Sequence, residues 1–276
     1  MRLVALASLV LLVAACDSSD DDAIRVDLQV GQELRYTTRF VSDGLLYTDG
    51  PVDVSGRLVE RVVSSRQRLG DLRGLTVVEL EQVEDDRPDV TYNTRTWYRP
   101  SDERLEEIAY EFYGDGYAGM GSLRTAALGD PTLPRLVRLA MARQRATRSG
   151  GDSTGGTLNA GPQVRETPRI VLEYPAETGR TWTHFVLDGD PPSRDFSREV
   201  VGTETITTPA GTFRCVVVRS RSPFYPTDDA FVWLDWIADV GLVRRTLVSR
   251  DPVTVADGSV VESVTTESVE LVAVED

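Results

Sequence analysis

Few side chains in this sequence are of a type and spacing that could do chemistry. His184 is the single histidine, so a zinc site needing two or three imidazoles is excluded, and any Ser-His-acid triad would have to use it. It sits in Trp182-Thr183-His184-Phe185, an alternating run that reads as a strand with His184 on its outward or cavity-facing side, not as a catalytic base. Gly151-Asp152-Ser153 has the letters of a hydrolase nucleophile, but a Gly/Ser/Thr tract has no rigid element to hold a nucleophile against a base. Asp188-Gly189-Asp190 and Asp195 flank Pro191-Pro192 and read as a solvated hairpin loop, with too few ligands at defined spacing for calcium. Glu103, Glu106, Glu107 and Glu111 read as the wet side of a strand and turn. No Gly-x-Ser-x-Gly elbow or dinucleotide fingerprint occurs, and all 30 basic residues are arginine, which removes the lysine of a phosphate loop. The expectation is no catalytic residue, no metal, no cofactor and no enzyme.

Two cysteines remain. Cys215 alternates with Phe213 and Val217 on an apolar face and reads as a small buried hydrophobe. Cys16 is different. It follows Met1-Arg2 and an apolar run from Leu3 to Ala15 interrupted by Ser8, the layout of an export signal too short to span a bilayer permanently. Val13-Ala14-Ala15-Cys16 resembles the lipobox of bacterial lipoproteins. That resemblance implies cleavage after residue 15, diacylglycerol on the Cys16 sulfur, and a protein anchored in the cell envelope facing the periplasm or exterior. Asp17-Ser18-Ser19-Asp20-Asp21-Asp22 cannot bury apolar surface and reads as an extended tether over 16–23. Asp17 resembles an inner-membrane retention signal whose rule varies between lineages, so the choice of membrane stays open.

With Cys16 committed to lipid, no intrachain disulfide can form, and residues 24–276 must stand on their own core as one domain. The net charge of −14 excludes the basic footprint that a nucleic acid demands.

The elements that would position any site are strands. Leu34, Tyr36, Thr38 and Phe40 alternate with charged or polar neighbours, the period of a half-buried strand. Similar runs fall at 52–63, 74–83, 90–99 and 104–113, then at 169–174, 180–187, 197–207, 212–220, 229–236, 241–250 and 259–273, separated by Gly, Asp and Pro turns. Leu133, Leu136, Val137, Leu139 and Ala140 recur at helical spacing and predict one short helix over 132–147 that plugs the concave face. A mobile Gly/Ser/Thr loop over 148–168 joins the two halves. Leu28 to Leu34 and Tyr174 to Trp182 each place a Gly turn before a strand, the mark of an internal duplication.

The stretch Glu204 to Arg245, through Thr208-Pro209-Ala210-Gly211-Thr212-Phe213, Cys215 to Val218, Trp233 to Trp236 and Val240-Gly241-Leu242-Val243-Arg244, resembles a diffuse group of uncharacterised bacterial periplasmic and lipoprotein β domains. The resemblance implies an open or half-closed barrel of the lipoprotein-carrier kind, and supplies no catalytic residue to carry over. The expected fold is mainly β, an antiparallel curved sheet or half barrel with one short helix. Trp97, Tyr98, Trp182, Trp233 and Trp236 are expected in the core. The favoured function is binding of an apolar small molecule, a lipid or an envelope protein on the concave face. The alternative is an assembly lipoprotein with a solid core.

Overall fold

The computed structural model describes residues 23–45, 50–113, 134–137, 161–186, 195–225 and 227–275. The export segment, Cys16, the acidic tether, Asp152-Ser153 and Asp188-Gly189-Asp190 lie outside the described residues.

Twelve strands form one antiparallel sheet: β1 (Glu33–Ser42), β2 (Val52–Leu69), β3 (Leu72–Glu84), β4 (Arg87–Pro100), β5 (Arg104–Tyr113), β6 (Gln163–Glu173), β7 (Thr181–Val186), β8 (Asp195–Thr208), β9 (Gly211–Arg221), β10 (Phe231–Ala238), β11 (Gly241–Thr254) and β12 (Val260–Glu275). The expected period governs them. In β1, Leu34, Tyr36 and Phe40 are buried while Arg35, Thr37 and Arg39 are not. Consecutive strands pair as a meander, and β1 also pairs with β12, from Glu33 opposite Glu275 to Ser42 opposite Thr265. The sheet therefore curls into a nearly closed barrel whose two end strands are β6 and β7.

No backbone ladder joins those end strands, and side chains bridge them instead. Trp182 Nε1 donates to the Ile170 carbonyl at 3.1 Å and His184 Nδ1 reaches the same oxygen at 2.7 Å, while Arg198 Nη1 reaches across from β8 and donates to Val171 O at 2.7 Å.

Apolar side chains pack toward each end of the barrel. Ile24, Val26 and Leu28 pack against Leu105, Leu172, Trp182 and Ile237, beside the start of β1. At the far end of β1, Leu136 and Val137 pack against Phe40, Phe185, Phe196, Phe231, Trp233 and Leu247. Residues 135–137 are helical, and Glu267 accepts the backbone N–H groups of Arg135 at 3.1 Å and Leu136 at 2.8 Å, partnering donors that a helix start leaves unpaired. The rest of the expected helix lies outside the described residues. β6 begins at Gln163, so residues 163–167 are strand, not the tail of the mobile loop that the sequence predicted. Their side chains alternate along β5, which a Gly/Ser/Thr composition upstream could not reveal.

The two halves repeat each other in backbone detail. Gly31 N donates to Val62 O at 2.9 Å, Val62 N to Gln32 O at 2.9 Å and Gln32 N to Gln29 O at 3.0 Å; Gly179 N donates to Val200 O at 2.7 Å, Val200 N to Arg180 O at 3.0 Å and Arg180 N to Glu177 O at 3.0 Å. Both glycines have positive φ, 101° and 90°. Val62 faces Val78 just before a register shift, and Val200 faces Val218 just before another. Val77 faces Trp97 and Val217 faces Trp236, each Trp preceding a further shift. Bulges of this kind are features of design and not of chance. A six-stranded unit has been used twice.

Candidate functional site

Between the two apolar plugs lies a lumen of about 210 Å³. Its wall is not purely apolar. Leu34, Leu58, Leu80, Val171, Ile237 and Val269 share it with Gln32, Glu60, Glu107, Arg169, Arg198, Asp235 and Arg245. The physical reason is pairing: a charge is tolerated in a core when an opposite charge and hydrogen bonds replace its water.

Asp235 is the centre of one cluster. It falls on the buried face of β10 with Phe231, Trp233 and Ile237. Its Oδ1 accepts Trp233 Nε1 at 2.9 Å and Arg245 Nε at 2.6 Å, and its Oδ2 accepts Arg198 Nη2 at 2.9 Å and Arg245 Nη2 at 3.0 Å. Burial alone would raise this carboxyl, but the charges of Arg245 and Arg198 overcome it and hold the group below the usual carboxylate range. Burial pushes Arg198 down to about 10 despite Asp235. Both guanidiniums also lie over the Trp233 ring, at 5.2 and 5.4 Å from its centroid.

Glu107 centres a second cluster. Its Oε1 accepts Arg165 Nε at 2.8 Å, and its Oε2 lies 3.4 Å from Arg169 Nη1. Glu106, on the adjacent position, pairs with Arg99 at 2.6 Å and Arg104 at 3.0 Å. The two glutamates are only 3% and 5% exposed, which corrects the expectation that they face water. Glu111 lies 3.4 Å from Arg95, and only Glu103 of the four is exposed. Glu106 and Glu107 are neutralised by guanidiniums, several of them far away in sequence.

His184 lines the lumen and is 3% exposed. A carbonyl can only accept, so Nδ1 carries the proton toward Ile170 O. Burial first, then the charges of Arg198 and Arg169, hold it well below the usual histidine range, and the ring is neutral. Cys215 is fully buried, and burial pushes its thiol up to about 11, the profile of an unreactive side chain. Trp97, Trp182 and Trp233 are core residues, whereas Tyr98 and Trp236 are half-buried and Tyr98 borders the lumen.

Glu60 stands apart. Tyr36 donates its hydroxyl to Glu60 Oε2 at 3.2 Å, and among the described residues Glu60 forms no ion pair. Burial raises its carboxyl above the usual range, although Tyr36 and the charge of Arg245 oppose the shift. The surface that Glu60 retains faces the lumen. Nearby, Gln32 is 7% exposed and its Oε1 has no hydrogen-bond partner. A carboxylate and an amide oxygen on the lumen wall are visible only in three dimensions; the sequence signal was an acid on the inward phase of β2, and of β10 for Asp235.

Among the described residues no group of three or more His, Cys, Asp or Glu side chains is placed to hold a metal, and no helix is long and apolar enough to cross a membrane.

A family model described as DUF3108-like matches residues 193–247, from the strand before Arg198 through Cys215, Trp233, Asp235 and Arg245. The match contains the stretch Glu204 to Arg245 on which the sequence resemblance rests. No curated protein matches the chain. It is similar to a protein from Bacteroides fragilis NCTC 9343 described as exported and as having a YmcC-like fold, at 17% identity and a TM-score of 0.42, over 92% of this chain and 100% of that one.

Proposed function

We propose that the protein is a non-enzymatic lipoprotein of the bacterial envelope, anchored through lipid on Cys16, that binds a small amphipathic molecule inside its barrel. The observation that carries this reading is the lumen, packed by apolar side chains toward each end yet bordered by buried charges. A barrel filled solid by its own side chains, as an assembly protein would have, needs no such space. At about 210 Å³ the lumen is somewhat larger than the cavity of about 150 Å³ that accommodates a benzene, so it suits a ligand, or the end of one, of roughly ten heavy atoms and not a whole two-chain lipid. The expected apolar ligand thus becomes one with an apolar body and a polar end. The single histidine, tied to a carbonyl and surrounded by arginines, supports a binding role over catalysis.

Trp233 borders the lumen and supplies the test. A bromoalkanol titrated into the full chain should quench tryptophan fluorescence saturably, and Trp233→Phe should remove the saturable part. Quenching that rises linearly, as for free tryptophan, would count against lumen binding.

A further inference from the structure

We propose that Gln32 and Glu60 form an amine subsite on the lumen wall, which receives the ammonium group of a small ligand whose apolar part lies along Leu34, Leu58 and Leu80. This rests on the lumen-binding reading above and names the chemistry of its polar end.

Each arginine of the wall meets a carboxylate, with Arg39 beside Asp53. Arg198 is held by Asp235, Ser220 and the Val171 carbonyl, Arg245 by Asp235, Arg135 by Glu84 and Arg169 by Glu107. On the β1–β2 face of the wall, beside Leu34, stand Gln32, whose Oε1 has no hydrogen-bond partner, and Glu60, whose carboxylate makes no ion pair among the described residues. The β1–β2 register sets Leu34 opposite Glu60, and Val62 N donates to Gln32 O. Gln32 and Glu60 are therefore diagonal neighbours on one face, a separation of about 7–8 Å between backbones that longer side chains bridge. A ligand group between them meets two acceptors and one negative charge.

The internal repeat shows why this charge stands alone. Matching Val62 with Val200 and Trp97 with Trp236 puts Glu60 at the position of Arg198 and Thr96 at the position of Asp235. The second half keeps a charge and its counter-ion; the first half keeps a charge and has a threonine where the counter-ion would be. A hydroxyl on a ligand would donate to these acceptors without compensating the charge. A carboxylate or phosphate would be repelled by it. An ammonium group donates three hydrogen bonds and neutralises Glu60.

The test is calorimetric titration of the full chain with n-hexylammonium, 1-hexanol and hexanoate, which share an apolar body. The subsite predicts that hexylammonium binds on the order of tenfold more tightly than hexanol, and that Glu60→Gln brings the two within about twofold. Gln32→Leu should weaken hexylammonium more than it weakens hexanol. If hexanol binds the wild-type chain as well as hexylammonium does, or hexanoate binds best, the amine subsite is overturned while lumen binding stands. If none of the three binds, both fall. A measurement without substitution covers the case in which a variant fails to fold: the carbon NMR titration of the Glu60 carboxyl should move to lower pH when hexylammonium is added, and an unmoved titration overturns the proposal.

Discussion

Arg198 and Asp235 meet at 2.9 Å inside the barrel with 3% and 1% of their side-chain surfaces exposed. Their strands, β8 and β10, are both neighbours of β9, so the pair straps three strands of the second half together across the inner face. Such a pair is weak evidence of net stability, but breaking it leaves charge stranded in the core. Asp235→Ala should therefore cost about 3–5 kcal/mol, since it strands Arg198 and Arg245 and frees Trp233 Nε1. Urea denaturation with an unchanged slope and a lower midpoint checks this; a loss of less than about 1 kcal/mol, the scale of an exposed pair, contradicts it.

His184 predicts how stability depends on pH. The folded state refuses its proton, while the unfolded state takes it up near pH 6.5. Stability is therefore fully present above that pH and falls as the pH drops below it, by up to about 1.4 kcal/mol per unit. The raised carboxyl of Glu60 acts in the opposite sense, and the lowered one of Asp235 removes stability only in acid. Comparing the wild-type chain with His184→Gln between pH 7.5 and 5.5 isolates the histidine, since the two chains share every other titrating group, including Arg198, Arg169 and Arg245, which face it. The variant should lose the slope, and equal slopes would refute this assignment.

The thiols give a count. Native protein isolated from the envelope should not react with iodoacetamide, because Cys215 is buried with a raised pKa and the proposed anchor would block the Cys16 sulfur. In urea one thiol should label, at Cys215. Labelling at Cys16 would show that the anchor is absent, and labelling of native Cys215 would show that its strand opens readily.

The repeated turns should respond alike. Gly31 and Gly179 have positive φ and open space where a Cβ would stand, so alanine at either meets only backbone strain, about 1–2 kcal/mol. Two equal losses are expected from the duplication, and a loss at one glycine alone would mean that the turns are not equivalent.

Strand positions were legible because the period of two survives in nearly every strand, and Pro209-Ala210-Gly211 or Asp239-Val240-Gly241 mark their own turns. The content of the lumen was not legible. Glu106 and Glu107 look like surface residues until Arg99, Arg104, Arg165 and Arg169 are brought to them by pairing β4, β5 and β6. The Asp235 cluster likewise joins β8, β10 and β11. The available signal was Asp235 among Phe231, Trp233 and Ile237, an acid in phase with core residues, which marks either a fault in a strand or a buried pair. Seeing which it was required the fold.

The central claim is that the barrel holds a small molecule, and native mass spectrometry of the full chain purified from a bacterial envelope tests it most directly, with Leu80→Trp run beside it to fill the lumen. The wild-type protein should carry a non-covalent small-molecule mass that Leu80→Trp lacks at an undiminished melting temperature. A wild-type protein with no added mass, or an identical mass on both, would contradict the account.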